Sequence, residues 1–166
     1  MSSARRLLIG SFCMAAFAIQ TGCETNTGPL VCPTDVNNSQ YGFSLTVPCN
    51  FGATTSTNTL TNALVQQSYK QDNPGLRLNL FVVPISGNTT PQTGITTENL
   101  GNTTNSAGVA FERLKVTVNG LPGYTIGAGT PLTGGVNQLL VQVSGLDNED
   151  AARAVLATVV ESVRVN

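Results

Sequence analysis

Apolar and polar residues alternate with a period of two along much of the chain, which predicts half-buried β-strands. The first three such segments are Tyr41–Val47, Ala63–Tyr69 and Leu76–Val82. Three more follow in the second half of the chain, at Leu114–Val118, Leu121–Ile126 and Leu139–Val143. Asn119-Gly120 separates the first two of these and is the strongest short signal for a hairpin. The pattern predicts an antiparallel sheet of five to six strands.

The last part of the chain changes to the period of a helix. Six apolar residues recur at i, i+3, i+4, i+7, i+8 and i+11, which places them on one stripe: Ala152, Val155, Leu156, Val159, Val160 and Val163. Asp147 is the predicted N-cap, and Glu149 and Asp150 favour the positive end of the helix dipole. We therefore expect an α+β fold in which a C-terminal helix packs on the sheet.

Two segments carry neither period. Ser86–Gly108 is rich in Thr, Asn and Gly, and Ile95 and Leu100 are its apolar anchors, so a long loop or one weak helix is expected. Gly127–Gly135 is rich in glycine and is interpreted as turn structure, because it lacks the spacing of a phosphate-binding loop.

The beginning of the chain has the layout of an export signal. Met1–Arg6 carries two arginines, and Leu7–Ile19 is an almost unbroken apolar run. This run is shorter than the ~20 apolar residues that a membrane-spanning helix needs. No later segment approaches that length. We predict a cleaved signal peptide and no transmembrane helix.

Small residues before a cysteine at the end of the apolar run resemble the lipobox of bacterial lipoproteins. Thr21-Gly22-Cys23 matches that pattern, whereas Gln20 stands where an apolar residue is usual. The resemblance implies cleavage after residue 22 and lipid attachment at Cys23. Residues 23–37 would then form the lipidated cysteine and a tether, and residues 38–166 a single domain. Ordinary cleavage after Ala18 is the alternative.

The cysteine count favours the lipoprotein interpretation. Cys13 leaves with the signal and Cys23 is consumed by lipid, so Cys32 and Cys49 remain as an even pair. Disulfides persist in oxidising compartments, which predicts a Cys32–Cys49 bridge. Two buried free thiols are the alternative. Simple secretion would leave three cysteines and therefore an odd one.

Three short segments resemble the PsbP-like fold. They are the opening strand Tyr41–Pro48, the segment Val118–Gly123 and the helix end Glu161–Val163. The resemblance spans roughly residues 38–166 and implies an antiparallel sheet flanked by helices in an α/β/α arrangement. Members include photosystem II accessory proteins, a yeast Ran-binding relative and periplasmic lipoproteins. Cys49 departs from the pattern, because members often continue there toward an aromatic residue. The resemblance implies a fold and leaves the function open.

Composition argues against a nucleic-acid partner. Charged residues make up 10% of the chain, well below the ~25% of typical soluble proteins. The net charge is −1, and removal of Arg5 and Arg6 with the signal leaves six basic residues against nine acidic ones, a balance of −3. These basic residues are scattered singly rather than clustered as phosphate binding requires.

The residues needed for catalysis are missing or scattered. The chain contains no histidine, which removes the usual general base and the Ser-His and Cys-His arrangements. Lys70 and Lys115 lie in alternating segments, where a solvated lysine on a strand is expected. The other acids show no recognisable grouping: Asp35, Asp72, Glu98, Glu112 and Glu161. We therefore predict that the protein is not an enzyme.

The acidic cluster of Asp147, Glu149 and Asp150 has the residue types of a calcium site. It lacks, however, the turn glycine and the distal glutamate of a calcium-binding loop. Helix capping explains the cluster instead, and no metal or cofactor is predicted. Four aromatic residues on or beside predicted strands are expected to pack in the core: Tyr41, Phe43, Phe81 and Phe111.

These observations together predict a lipid-anchored protein on the extracytoplasmic side of a bacterial envelope. It would act as a non-catalytic binding or accessory module for an unknown envelope protein or small ligand. The alternative is a periplasmic protein that binds a small molecule or a cation in a pocket between sheet and helices. An exposed apolar patch would favour a protein partner, and a concave pocket with convergent polar groups would favour a small ligand.

Overall fold

The computed structural model of the protein describes residues 32–55, 62–85 and 94–166. The strands and the helix in these residues are β1 (Thr34–Asn38), β2 (Phe43–Val47), β3 (Gly52–Thr54), β4 (Val65–Gln71), β5 (Leu76–Pro84), β6 (Ile95–Thr104), β7 (Ala110–Val118), β8 (Tyr124–Pro131), β9 (Asn137–Gly145), α1 (Glu149–Ser162) and β10 (Arg164–Val165). The predicted signal peptide and Cys23 lie outside the described residues.

Seven strands form one antiparallel sheet in the order β3-β4-β5-β9-β8-β7-β6. The sheet is therefore larger than the five to six strands that the alternation predicts. Neighbouring strands are mostly joined by hairpins, and the pairing of β5 with β9 brings together strands that are distant in sequence. The Asn119-Gly120 hairpin is confirmed: it joins β7 to β8, and Gly120 adopts a φ of 78°.

Three strands form a second, smaller sheet in the order β1-β2-β10. The first predicted strand lies here as β2, beginning at Phe43 rather than Tyr41. Thr34–Asn38 pairs along β2 as β1, although all of it but Asn38 was expected to belong to the tether. Cys32 and Cys49 form the predicted disulfide at the same end of these strands, with their Cα atoms 4.3 Å apart.

The hydrophobic core lies between α1 and one face of the large sheet. The apolar stripe of α1 is confirmed, with Ala152, Leu156, Val159 and Val160 buried. The alternating residues of β5 and β9 face it, and Phe43, Phe51 and Phe111 complete the packing. The expected α/β/α arrangement places helices on both faces of the sheet. In the described residues α1 is the one helix, and it covers one face.

The long loop or weak helix predicted for Ser86–Gly108 is wrong over much of its length. Ile95–Thr104 is β6, a strand at the edge of the large sheet. Most of its residues are exposed, so no buried face imposes an apolar alternation on the sequence. Its threonines nevertheless favour extended backbone. A β-bulge between Asn99 and Gly101 interrupts its pairing with β7.

Two smaller predictions also need correction. The N-cap of α1 is Asn148 rather than Asp147: its Oδ1 accepts a hydrogen bond from the Ala151 N–H at 3.1 Å. Asn148 has a φ of 61°, a left-handed conformation that asparagine tolerates well. The glycine-rich segment is mainly strand rather than turn, since Gly127 and Gly129 lie within β8.

Among the described residues, no helix has the length and apolar character needed to cross a membrane. α1 is shorter and more polar than a helix that crosses a bilayer.

Candidate functional site

The predicted site residues that the structure describes, Cys32 and Cys49, form a disulfide rather than a binding site. Their bridge joins the residues just before β1 to those just after β2 and is exposed there, which is a structural role. Cys23 lies outside the described residues. The described part of the chain offers three concave surfaces instead, and none of them was assigned from sequence patterns.

The first surface is a cleft between α1 and strands β6 to β8, with a volume of about 370 Å³. We call it the helix–sheet cleft. Its lining combines apolar side chains with a few polar ones: Leu100, Thr103, Thr104, Asn105, Arg113, Ile126, Arg153, Leu156, Ala157, Val160 and Glu161. A volume of this size lies within the range of ~300–1,000 Å³ that is typical of small-molecule sites.

Glu149 joins α1 to β7 beside this cleft. Its Oε2 lies 2.5 Å from the Nζ of Lys115, and its Oε1 accepts from the Nε and Nη2 of Arg153 at 2.9 and 2.5 Å. The hydrogen bonds from Lys115, and then those from Arg153, hold the pKa of Glu149 below its ordinary value. Lys115 is therefore a partly buried, ion-paired residue and not the solvated lysine that the alternating pattern predicts.

Arg113 is held next to this ion-pair group by the bulge of β6. Its Nη2 donates to the Leu100 carbonyl at 3.0 Å, and its Nε donates to the Gly101 carbonyl at 3.4 Å. Register shifts at the bulge place these carbonyls opposite Arg113 on β7. The guanidinium group is thereby fixed at the cleft by neutral acceptors.

Asn105 and Glu161 occupy the end of the cleft near the C-terminus of α1. The buried Asn105 amide donates to the Val160 and Val163 carbonyls, at 2.9 Å each, and so caps the helix end. Glu161 accepts from the backbone N–H of Ser106. Hydrogen bonding with the Ser106 side chain, and then with this N–H, holds the pKa of Glu161 below its ordinary value. Sequence reasoning missed Asn105, although asparagine commonly hydrogen-bonds the backbone a few residues on, as Asn105 does with Val109.

The second surface is an open groove of about 440 Å³ at the end of the large sheet where β7 turns into β8. We call it the apolar end groove. Three large apolar side chains on its rim are exposed: Val118 at 41%, Leu121 at 66% and Leu146 at 66%. Gly123 and Gly145 form a close backbone contact within it, because a Cβ at Gly123 would lie 2.6 Å from the Gly145 carbonyl oxygen.

Tyr124 fixes the same end of the molecule. Its hydroxyl donates to the Asp147 carbonyl at 2.9 Å, tying β8 to the turn before α1. Partial burial raises the pKa of Tyr124, and the charges of Glu149, Asp147 and Asp150 raise it further. The phenol therefore remains protonated and keeps donating at neutral pH.

The third surface is the face of the large sheet opposite α1, over β6 to β9, with a volume of about 870 Å³. Gly127 and Gly129 form its floor, and the side chains of Gln142 and Leu140 lie across them from β9. The cross-strand neighbours Asn99 and Leu114 extend this mixed polar and apolar surface toward the sheet edge.

The described residues do not bring together a metal site. Their cysteine and acidic side chains nowhere form a group of three or more that could hold an ion. Asp147, Glu149 and Asp150 are engaged as described above, in a turn, an ion-pair group and the first turn of α1.

Solved structures resemble this architecture over most of the chain. The solution structure of PsbP from the cyanobacterium Synechocystis sp. PCC 6803, named CyanoP, has a TM-score of 0.57 and 10% sequence identity, and the match covers 86% of this chain and 98% of that one. The domain has a PsbP-like fold. A mutant of the protein Mog1 is also similar, with a TM-score of 0.51 and 12% identity over 80% of this chain and 95% of that one.

The resemblance lies in the structure rather than in the amino-acid sequence. No family model matches the chain, and no curated protein matches it either. The PsbP-like fold predicted from three short segments is therefore confirmed by geometry, at an identity that shows the fold alone.

Proposed function

We propose that the chain is an exported, lipid-anchored module of the bacterial envelope that binds a partner protein through the apolar end groove. The observation that carries this proposal is the exposure of Val118, Leu121 and Leu146 around one concave surface. Large apolar side chains that cluster on a surface commonly mark a site of protein interaction. The Gly123–Gly145 contact keeps the backbone of the groove close and its shape fixed.

Export is supported by the disulfide and by the beginning of the sequence. A Cys32–Cys49 bridge is stable in an oxidising compartment outside the cytoplasm. The basic start, apolar run and Thr21-Gly22-Cys23 end fit a lipoprotein signal. A lipid at Cys23 would confine the domain to a membrane surface and raise its effective concentration near membrane partners.

Binding rather than turnover is supported by the chemistry of the charged groups. A general base works best with a pKa near the operating pH. The hydrogen bonds to Glu149 and Glu161 instead lower the pKa of each carboxylate, away from neutrality. The chain also offers no histidine to take that role.

Site-specific crosslinking in the native envelope tests the partner proposal. A photoreactive amino acid at Leu121 should give a discrete adduct with one protein, and Leu146→Ser should abolish it. Val136 is the matched control, because it is also 66% exposed but lies in the turn between β8 and β9 at the other end of the sheet. Equal adducts from both positions, or none from Leu121, would show that the groove is not the docking surface.

Metabolic labelling with a fatty acid tests the anchor separately. We expect label on the wild-type chain, a mature protein that begins at Cys23, and loss of both in Cys23→Ala. Cys32→Ser should retain the label, which controls for the loss of any cysteine. An unlabelled mature protein that begins at Ile19 would refute the lipid anchor and leave the crosslinking result unaffected.

A second candidate function is the binding of a small ligand in the helix–sheet cleft. The specific observation that favours it is the convergence of Arg113 and Arg153 on one concave, partly apolar surface. Such a combination of apolar walls and a few placed polar groups is typical of small-molecule sites.

A further inference from the structure

We propose that the helix–sheet cleft binds a small monocarboxylate with an apolar body, and that its carboxylate pairs with Arg113 and Arg153. This inference rests on the second candidate function and names its ligand class. It is independent of the partner protein proposed for the apolar end groove.

The geometry of α1 and β7 places the two arginines opposite each other. Lys115 of β7 and Glu149 of α1 are in direct contact. Arg113 lies two residues along β7 from Lys115, a distance of about 7 Å along a strand. Arg153 lies one turn along α1 from Glu149, about 6 Å along a helix. Both arginines line the same cleft. Along the cleft, β7 and α1 therefore present first the oppositely charged pair Lys115 and Glu149, and then the two positively charged arginines.

Positive charge exceeds negative charge at this end of the cleft. Its three cations outnumber two carboxylates, those of Glu149 and of Glu98, which is the cross-strand neighbour of Lys115. Lys115 and Arg153 share the single carboxylate of Glu149. The hydrogen bonds of Arg113 go to two backbone carbonyls, which do not neutralise its charge. A partly buried charge is costly unless an opposite charge pairs with it. An anion between the two guanidinium groups would supply that charge.

Both guanidinium groups are oriented before a ligand arrives. Arg113 is held by carbonyls of the β6 bulge, and Arg153 is held by Glu149. These hydrogen bonds use the Nε and Nη2 atoms of each side chain. A guanidinium has five N–H donors, so donors remain for a carboxylate, which arginine binds in a bidentate geometry.

The rest of the cleft selects an apolar body. The accessible apolar wall between the two ends is formed mainly by Leu100 and Ala157. Leu156, Val160 and Ile126 lie beneath it and are buried in the core. Burial of aliphatic carbon on this surface contributes about 0.8 kcal/mol per methylene. Inorganic anions and acetate would miss this contribution.

The far end of the cleft sets the direction of the ligand. Glu161 lies eight residues after Arg153 on α1, which places it about 12 Å farther along the helix axis. It lines the cleft as an anion, held by the N–H of Ser106. Its charge repels a carboxylate at that end, so the carboxylate faces the arginines and the body points toward Val160.

Calorimetric titration of the full chain with octanoate tests this assignment. We expect saturable binding that weakens about tenfold or more in Arg113→Gln, the loss expected for a charge-assisted hydrogen bond. Lys70→Gln is the matched control, because it removes one positive charge from an exposed position on β4 and should leave the affinity unchanged. Octan-1-ol and acetate should each bind at least tenfold more weakly than octanoate.

A second variant blocks the cleft without changing its charge. Ala157 lines the cleft from the exposed side of α1, so Ala157→Phe should fill the space for the apolar body and abolish octanoate binding. No saturable octanoate binding, equal affinity in Arg113→Gln, or equal affinity of octan-1-ol would each overturn the proposal. The Leu121 adduct should persist in Arg113→Gln, which separates failure of this site from failure of the apolar end groove.

Discussion

Replacement of Asn105 by alanine tests how the end of α1 is held against β6 and β7. The buried amide makes four hydrogen bonds with the backbone. Its Nδ2 donates to the Val160 and Val163 carbonyls at 2.9 Å each. Its Oδ1 accepts from the N–H groups of Ala107 and Val109 at 3.1 and 2.9 Å. One side chain thus joins the last turn of the helix to the turn between the two strands.

The expected loss of unfolding free energy depends on which hydrogen bonds the four backbone partners keep when the Asn105 side chain is removed. The Val160 carbonyl also accepts from the Val163 N–H, and the Val163 carbonyl also accepts from Arg164. Ala107 is exposed, so water replaces the lost acceptor there. Val109 is partly buried and bears the largest penalty. With about 1 kcal/mol for each lost bond and more for a buried donor left unpaired, Asn105→Ala should cost about 3–4 kcal/mol of unfolding free energy.

Urea denaturation measures this loss directly. Small domains have m values of about 1–3 kcal/mol/M, so the midpoint should fall by at least about 1 M with m unchanged. Asn105→Asp should be less stable than Asn105→Ala at pH 7, since its carboxylate would face the two helix carbonyls. Asn102→Ala is the control, because Asn102 is exposed on β6; a change within about 0.5 kcal/mol is expected. If Asn105→Ala unfolded at the wild-type midpoint, the amide would not be holding the helix end.

Three further predictions concern the disulfide, the ion-pair group and the apolar end groove. Cys32→Ser with Cys49→Ser should lower the unfolding free energy by about 3 kcal/mol in the chain-entropy model, measured against the oxidised protein in urea; an unchanged midpoint would contradict it. The pKa of Glu149 is lowered on folding, so its stabilisation is present above the unfolded pKa and is lost as pH falls through the folded one. Glu149→Gln should therefore unfold earlier than wild type at pH 7 and converge with it in acid, and a constant difference from pH 7 to 2 would exclude this linkage. Gly123→Ala should destabilise more than Gly120→Ala in the same assay, since both have positive φ but only the Cβ at Gly123 meets backbone; equal losses would exclude the steric contribution.

The sequence predicted elements well where one face is buried and the other exposed. The strand β9 and the stripe of α1 follow their apolar periods, because the core imposes that period on the residues. The strand β5 was also predicted from its alternation, although most of its residues are buried. β1 and β6 were missed because few of their side chains are buried. Their pairing depends on backbone hydrogen bonds, which leave no signature in side-chain type.

The candidate sites could not be predicted from the sequence because they depend on contacts between residues that are far apart along the chain. Lys115 and Glu149 are far apart in sequence, and their contact depends on how α1 crosses β7. The position of Arg113 depends on a bulge in β6, a strand whose existence the sequence did not indicate. The disulfide was predictable because only a count of cysteines and a compartment were needed.

The strand β5 is synthesised well before β9, the strand with which it pairs in the sheet. Lys70 and Arg77 pair across a short hairpin, whereas Phe81 of β5 pairs with Leu140 of β9, which is much farther along the chain. Closing the longer loop costs about 2 kcal/mol more in chain entropy. β5 is the most apolar strand of the sheet and is buried along most of its length.

A ribosome releases β5 well before β9. During that interval the strand has β4 on one side and an open apolar edge on the other, which is the kind of template on which chains aggregate. The nascent protein is therefore vulnerable to aggregation until the whole of β9 has emerged. Fragments that end before β9 should accumulate as aggregates rather than as partly folded domains.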